Sequence, residues 1–471
     1  MSTSLSDRST RQVFDDLRNA QAAFARAYPG DGASRQPVHT VYGGADLFRA
    51  DLARKLGDVA LRTLQRYAPA SAEFAAAIGL GSSDDAAPAG ESPAGDLAER
   101  VYARVVEKLE REPVEDFRID FEDGYGTRPD AEEDACAVQA GREVAAGLAA
   151  GSLPPFVGIR LKPLTADLAP RAARTLDLFL TALLEGTGGQ LPPGFVVTNP
   201  KIVMPEQVTA LVDLFQLMES ATALPEGSLR MELMVETPQA IVDGRGASAL
   251  PELVAAAQGR CAAAHFGVYD YTASLAITAA HQVLDHPACD FARHIMQVAL
   301  TGTGIWLSDG ATNVMPAPPH RAAPDGPVLS AAQLAENRAA VERGWRLHYD
   351  HVRHSLRHGY YQGWDLNPAQ LPTRYAAIYA FFLEGLDAAA SRLRHFVAQA
   401  ARATLSGDVF DDAATGQGLL NFFLRGLSCG AITEAEGRSA GLTPEELRSR
   451  SFSAILANRA RAAATPDSPA D

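Results

Sequence analysis

The stretches MELMVETPQAI (231–241) and AAAHFGVYDYTAS (262–274) decide the fold of this chain. In each, a short apolar run ends at a carboxylate, Glu236 in the first and Asp270 in the second. The text between them, ALPELVAAA (249–257), is typical of a helix. A right-handed crossover makes the two strands parallel neighbours. Both carboxylates are therefore expected at the C-terminal edge of the sheet, where α/β folds bind ligands.

Two carboxylates that face one cavity repel each other unless a cation lies between them. Mg²⁺ is the expected ion at Glu236 and Asp270, with Mn²⁺ as the alternative, because Mg²⁺ is commonly held by one or two carboxylates plus water and substrate oxygens. A second interpretation stays open, in which one of the two carboxylates only caps the helix that follows it.

The same pattern, an apolar segment that ends abruptly at a polar residue or a glycine, recurs along the chain. Apolar segments that end in a glycine, an acid or a base occur at 37–44, 117–124, 156–162, 195–204, 231–236, 262–270, 304–310 and 360–365. The sequences between these segments are typical of helices. Successive predicted strand ends from Glu122 to Asp309 are about 34 to 41 residues apart. Eight such units favour a (β/α)8 TIM barrel, which needs roughly 30 residues per unit, over a doubly wound sheet of five or six strands.

The predicted domains are a barrel over 1–371 and a helical C-terminal domain or lid over 372–471. The barrel region begins with a polar helix and contains a loop, about 79–95, that is rich in Gly, Ser, Ala and Pro and is predicted to be mobile. Amphipathic text such as YAAIYAFFLEGLDAAASRLRHF (375–396) predicts the C-terminal helices, and a disordered tail is expected after them.

The composition limits which classes of partner the protein is expected to bind. A net charge of −15 argues against nucleic-acid binding. No apolar run is long enough for a membrane span or a signal peptide, and the four cysteines are far apart in sequence. These features predict a cytoplasmic protein with no nucleic-acid and no membrane partner, and they are compatible with a homo-oligomer.

Charged residues at the other strand ends extend the predicted site. Glu122 and Asp123 are expected beside the metal, where they hydrogen-bond its water ligands or hold a cation in place. Arg160 and Lys201 supply positive charge and are both predicted to bind substrate, and Arg160 is expected to grip a substrate carboxylate or a developing oxyanion. Each of these residues also has an ordinary interpretation as a salt bridge or helix cap.

Four further residues have weaker or structural interpretations. Gly43 and Gly44 could cradle an anionic substrate group with backbone N–H groups, which is a weak signal for a bare Gly-Gly. On the strand before Glu122, Arg118 is interpreted as a solvated residue and Asp120 as a structural one.

The order of motifs DFEDG (120–124), RLKP (160–163), NPKI (199–202), VETPQA (235–240) and FGVYDYTAS (266–274) resembles the superfamily of citrate lyase β-subunits, malyl-CoA lyases, HpcH/HpaI aldolases and malate synthases. Two segments, YDYTAS (269–274) and DDAAT (411–415), resemble malate synthases in particular. The context of the arginine, GIRLKP, departs from the RPRG of malate synthases.

This resemblance implies roles for individual residues. It places Mg²⁺ ligands at Glu236 and Asp270, the essential arginine at Arg160, and a general base at Asp412, which would reach the site from the helical lid. Gly267, in the FGVYD motif, is also predicted to bind substrate. Asp412 also has an alternative interpretation as the N-cap of the next helix.

The expected function is that of a Mg²⁺-dependent carbon–carbon lyase or aldolase, or a synthase in reverse. It would act through an enolate on a 2-oxo acid or a hydroxyacyl-CoA-type substrate. The alternatives are a thioester hydrolase that uses the same site and a non-catalytic metabolite-binding barrel. A phosphoryl-transfer enzyme is disfavoured because the chain has no GxxxxGK[ST] loop.

Overall fold

Eight parallel strands close into a barrel in the computed structural model, each hydrogen-bonded to the next and the eighth to the first. The structure describes residues 7–30, 32, 34–81, 94–322, 326–398, 404–406, 409–411 and 413–464. The barrel strands are β1 (His39–Gly44), β2 (Asp116–Asp120), β3 (Phe156–Arg160), β4 (Val196–Asn199), β5 (Arg230–Val235), β6 (Cys261–Phe266), β7 (Trp306–Ala311) and β8 (Gln362–Asp365). Closure joins His39 to Gly363 and Val41 to Asp365. The predicted (β/α)8 barrel is confirmed.

Helices surround the strands and follow them in the chain. Up to β8 they are α1 (Asp7–Ala27), α2 (Leu52–Tyr67), α3 (Ser71–Ile78), α4 (Ala94–Arg111), α5 (Asp130–Ala150), α6 (Ala169–Thr187), α7 (Pro205–Thr222), α8 (Pro238–Ile241), α9 (Leu250–Ala256), α10 (Val268–Ser274), α11 (Pro287–Leu300) and α12 (Ala331–Arg357). Short 3₁₀ helices span Ala45–Leu47, Ala279–His281 and Pro368–Gln370. Most of the predicted loop at 79–95 lies outside the described residues.

The C-terminal region is helical, as predicted. It contains α13 (Leu371–Ala398), α14 (Ala413–Ser428), α15 (Glu434–Arg438), α16 (Pro444–Ser449) and α17 (Phe452–Ala464), and between α13 and α14 the short antiparallel strands β9 (Thr404–Ser406) and β10 (Val409–Asp411). Helix α13 packs against α12 and α4, and α14 packs against α13 and α17. The two-stranded ladder was not predicted. The division at 371/372 stays a prediction.

Aromatic contacts join these helices. The rings of Phe382 and Phe422 are 5.2 Å apart, and those of Phe396 and Phe452 stack at 5.3 Å. A Cβ at Gly416 would lie 2.4 Å from the Phe396 ring and 2.5 Å from the Phe452 ring, so the close approach of α14 requires a glycine there. No helix of the described residues is both long enough and apolar enough to cross a membrane.

Side-chain alternation along β2 separates the apolar core from a polar barrel interior. Phe117 and Ile119 are buried in the main hydrophobic core. Asp116, Arg118 and Asp120 have the opposite orientation and are also buried. Arg118 donates to Asp116 and to Thr198, so its interpretation as a solvated residue is wrong: it is 3% exposed. The positive charge of Arg118 inside the barrel is thus matched by the Asp116 carboxylate.

Candidate active site at the barrel mouth

Glu236 and Asp270 lie where the sequence places them, at the C-terminal ends of two paired strands. Strand β5 ends at Val235 and pairs with β6, which ends at Phe266. Glu236 is 2% exposed, whereas the Asp270 side chain is 42% exposed in the first turn of α10. Neither carboxylate caps a helix: Thr237 caps α8, and α10 has no side-chain cap. The capping interpretation is therefore not observed for either residue.

Lys201 connects the two carboxylates through its backbone and its side chain. It has φ +52°, a left-handed conformation that is uncommon for a residue other than glycine. Its backbone N–H donates to Glu236 Oε1 over 2.7 Å. Its Nζ lies 2.5 Å from Glu122 Oε1, 3.1 Å from Asp123 Oδ2 and 3.6 Å from Asp270 Oδ2. Lys201 thus contacts all four predicted acids, Glu236 through its backbone N–H and the other three through its ammonium group.

Arg160 forms the floor of the mouth. Its Nε donates to Asp120 Oδ1 over 2.8 Å and its Nη2 to Asp120 Oδ2 over 2.5 Å, which makes a bidentate pair. Its Nη1 lies 3.0 Å from Glu122 Oε2. Arg160 is 1% exposed. The guanidinium is therefore held rigidly, and Nη1 is its edge toward Glu122.

The side chains that surround the Arg160 guanidinium were not predicted from the sequence. The guanidinium carbon lies 4.8 Å from the centre of the Tyr42 ring and 5.4 Å from that of Trp364, and Nη1 is 3.6 Å from the sulfur of Met234. These three side chains come from β1, β8 and β5. Tyr42 precedes the Gly-Gly pair in β1, and Trp364 lies in the GWD segment of β8. The sequence alone does not show that these two residues are close, because their strands pair only when the barrel closes.

Asp120 has a more specific position than its structural interpretation implied. Besides its two contacts with Arg160, it accepts hydrogen bonds from the backbone N–H groups of Glu122 and Gly124. Its carboxylate therefore fixes both the arginine and the turn that carries Glu122 and Asp123. The two-residue period of a strand puts Asp120 and Glu122 on one side, which was the available signal.

The acidic side chains at the barrel mouth outnumber the basic ones. Burial, followed by repulsion from Asp270 and Glu122, raises the pKa of Glu236 to about 8. Burial also raises the pKa of Glu122, although Arg160 and Lys201 oppose that shift. Additional positive charge placed between these carboxylates would favour their ionised forms.

The donor set fits a hard divalent cation. Glu236 and Asp270 supply carboxylate oxygens, which are the ligands that Mg²⁺ prefers, and the partly exposed side chain of Asp270 leaves room for water and substrate oxygens. A Cβ at Gly267 would lie 2.6 Å from Glu236 Cβ and 2.7 Å from Glu236 Oε2. Gly267 therefore gives the Glu236 carboxylate its space, while its predicted substrate contact stays a prediction.

Gly43 and Gly44 lie in β1 opposite Ile119 and Asp120. A Cβ at Gly43 would lie 2.7 Å from the Phe117 ring, and one at Gly44 would lie 2.5 Å from the carbonyl oxygen of Gly124. Close packing requires both glycines, and their backbone contact with substrate stays a prediction. The predicted base Asp412 lies outside the described residues; the described chain resumes at Ala413, where α14 begins.

A family model described as a domain of unknown function, DUF6986, matches residues 17–455. The chain belongs to this family. The match includes all eight strands and most of the C-terminal helices, so barrel and helices are features of one family region. No curated protein sequence shows a match to the chain.

Solved structures resemble this DUF6986 chain in fold. A citrate lyase of Burkholderia xenovorans LB400 is 18% identical, covers 72% of this chain and 92% of its own, and has a TM-score of 0.51. Haloferax volcanii malate synthase in a magnesium/glyoxylate complex is 14% identical over 91% of this chain and 98% of its own, with a TM-score of 0.42. The protein CitE of Mycobacterium tuberculosis, in complex with magnesium, acetoacetate and coenzyme A, is 17% identical over 85% and 100%, with a TM-score of 0.43. The resemblance predicted from the motifs is confirmed at the level of fold.

Proposed function

We propose that this DUF6986 protein is a Mg²⁺-dependent carbon–carbon lyase or aldolase, or a synthase in the reverse direction, that acts through an enolate. The substrate would be a 2-oxo acid or a hydroxyacyl-CoA-type compound. One observation carries the proposal: the buried Arg160 guanidinium and the Glu236–Asp270 carboxylate pair meet at the mouth of one barrel, joined by Glu122 and Lys201. Cleavage or formation of a carbon–carbon bond next to a carbonyl develops negative charge on oxygen, and Arg160 together with a bound Mg²⁺ would offer positive charge to that oxygen.

Glu236 and Asp270 would hold the Mg²⁺, which when bound supplies Lewis-acid stabilisation of oxygen anions. The residues of the chain would do the rest. Arg160, fixed by Asp120, would donate from its Nη1 edge to the substrate carboxylate or oxyanion without a change of rotamer. Lys201 would orient Glu236 through its backbone N–H and screen the acids through its ammonium group.

Proton transfer needs a group that is not engaged at the floor of the mouth. Glu122 is engaged with Arg160 and Lys201, and Glu236 and Asp270 are assigned to the metal. We propose Asp412 as the base, supplied from the segment immediately before α14. The Haloferax volcanii malate synthase structure is a complex with glyoxylate, and the Mycobacterium tuberculosis CitE structures are complexes with pyruvate or acetoacetate, so these three compounds form the first substrate panel.

The deciding experiment is a product assay with the full chain. The panel combines glyoxylate, pyruvate or acetoacetate with or without acetyl-CoA, in Mg²⁺ or in EDTA, and mass spectrometry detects new or cleaved carbon–carbon bonds. Free CoA is measured in parallel with a thiol reagent. The proposal expects a carbon–carbon product that depends on Mg²⁺ and is lost in Glu236→Gln. Thiol release from acetyl-CoA without a carbon–carbon product would establish a hydrolase instead.

A further inference from the structure

A cluster of histidines lies on helices α11 and α12, apart from the residues assigned to the mouth. Asp290 and His294 are four residues apart on α11, and His354 and His358 are four residues apart at the end of α12. Residues at this spacing lie on the same side of a helix. Asp290, His354 and His358 each offer one ligand atom, and these atoms all lie within 4.8 Å of one another.

Hydrogen bonds already orient two of these side chains. The Nδ1 of His358 lies 2.8 Å from the carbonyl oxygen of His354. A carbonyl only accepts, so Nδ1 carries the proton and the lone pair of Nε2 is available as a ligand. Metal-bound histidines commonly donate their other ring N–H to a carbonyl in this way. The Nε2 of His354 is 2.8 Å from Asp290 Oδ1, so these two ligand atoms already converge.

We propose that Asp290, His354 and His358 form a binding site for a late first-row divalent metal ion, with Zn²⁺ as the best match. Two imidazoles and one carboxylate are typical Zn²⁺ ligands, whereas Mg²⁺ prefers oxygen alone. His294 is placed to be the fourth ligand, since its ring centre lies 5.5 Å from that of His358 and its side chain is exposed. Water completes the coordination if His294 stays outside it.

The surrounding charges are compatible with a bound cation. Arg293 opposes it, because its Nη2 contacts Asp290 and lies 3.2 Å from His354 Nε2. The same guanidinium is paired with the fully buried Asp309 at 3.1 Å, which offsets its charge. The site also lies at the C-terminal end of α12, where the helix dipole favours positive charge.

The inferred metal would join two helices that side-chain hydrogen bonds already connect. Gln297 on α11 donates to the carbonyl oxygen of His358, and the Tyr360 hydroxyl donates to the carbonyl oxygen of Arg293. The ion would add coordinate bonds between the start of α11 and the end of α12. We therefore infer a structural site, whose occupancy raises the melting temperature and which is independent of the Mg²⁺ proposed for the mouth.

Calorimetric titration of the full chain with Zn²⁺, in saturating Mg²⁺, tests the inference. The variants are His354→Gln and His358→Gln; His395→Gln removes an exposed histidine of α13 and is the matched control. Glu236→Gln reports on binding at the mouth. Co²⁺ serves as a spectroscopic probe, because imidazole coordination in a low-symmetry site gives intense visible absorption.

The expected result is one Zn²⁺ per chain, a higher melting temperature with Zn²⁺, and affinity at least about tenfold weaker in His354→Gln and His358→Gln. His395→Gln and Glu236→Gln should retain this site and its Co²⁺ spectrum. His358 lies at the half-exposed end of its helix, so the loss of its side chain leaves the fold intact. Zn²⁺ binding that is unchanged in both histidine variants, or that disappears in Glu236→Gln instead, would overturn the inference.

Discussion

Replacing Glu236 by glutamine should stabilise the metal-free protein, and saturating Mg²⁺ should remove that advantage. The pKa of this buried carboxyl is raised from 4.5 to about 8, so in the metal-free protein it is mostly protonated at pH 7 while the unfolded chain is ionised. A raised carboxyl pKa means that the native state binds more protons, so stability falls as pH rises from 4.5 towards 8. Integrated to pH 7, the loss is about 3 kcal/mol.

Glutamine is neutral at every pH and can still accept the hydrogen bond from the Lys201 backbone N–H through its Oε1. In EDTA at pH 7 the Glu236→Gln variant should therefore have a higher free energy of unfolding than the wild type, by up to about 3 kcal/mol. The difference should vanish near pH 4.5. In Mg²⁺ the wild type should gain about 3 kcal/mol at a concentration 100 times its Kd, whereas the variant should gain little.

Urea unfolding at several pH values, with EDTA or Mg²⁺, measures both effects, and calorimetry measures Mg²⁺ binding directly. Glu219→Gln is the matched control, because Glu219 is also buried but makes a bidentate pair with Arg260 at 2.7 and 2.8 Å. That variant should lose about 3–5 kcal/mol, in the opposite direction. A Glu236→Gln variant that is less stable than the wild type in EDTA, or that is stabilised equally by Mg²⁺, would refute the reasoning.

Three further predictions follow from individual residues. Arg160→Lys should lower kcat by about 10²–10³ in the product assay, because lysine cannot keep the bidentate pair with Asp120 while it contacts the substrate; near-normal kcat would make this arginine structural. Asp412→Asn should abolish turnover while calorimetric Mg²⁺ binding persists, and unchanged turnover would reject it as the base. Burial lowers the pKa of His351 to about 4, so the native state resists its protonation and stability should fall by up to about 3 kcal/mol between pH 6.5 and 4. His351→Gln should show a shallower pH dependence of unfolding in that range, and equal slopes would contradict the assignment.

Strand ends were predictable from the sequence because each combines a buried β-strand with an abrupt polar residue. Glu236 and Asp270 follow β5 and β6, and Arg160 ends β3, as predicted from the polar residues that end the apolar segments. The eightfold count of such ends predicted the barrel. The helical C-terminal region was equally visible, because amphipathic spacing in α13 extends over many turns.

Features that depend on packing between distant segments were not predictable. Arg118 is a strand residue whose alternation fits either solvent or a closed interior, and only closure of the barrel buries it between Asp116 and Glu232. The left-handed conformation of Lys201 has no sequence signal, since lysine rarely adopts it. The two short strands before α14 carry too few residues to show a period of two.

A comparison of Glu232 in β5 with Glu236 just after it shows why a cation would bind at the mouth and not in the barrel interior. Glu232 and Glu236 are both buried, and burial opposes the ionised form of each. Around Glu232, Arg118, His265 and Thr198 overcome that cost and hold its pKa below the usual range. Around Glu236, the neighbouring Asp270 and Glu122 add to the cost, and its pKa rises to about 8. The fold therefore neutralises the charge of Glu232 within its interior and leaves a deficit of positive charge around Glu236 at the ligand-facing edge. A divalent cation bound by Glu236 and Asp270 would remove that deficit, and this is the physical basis for assigning the metal there.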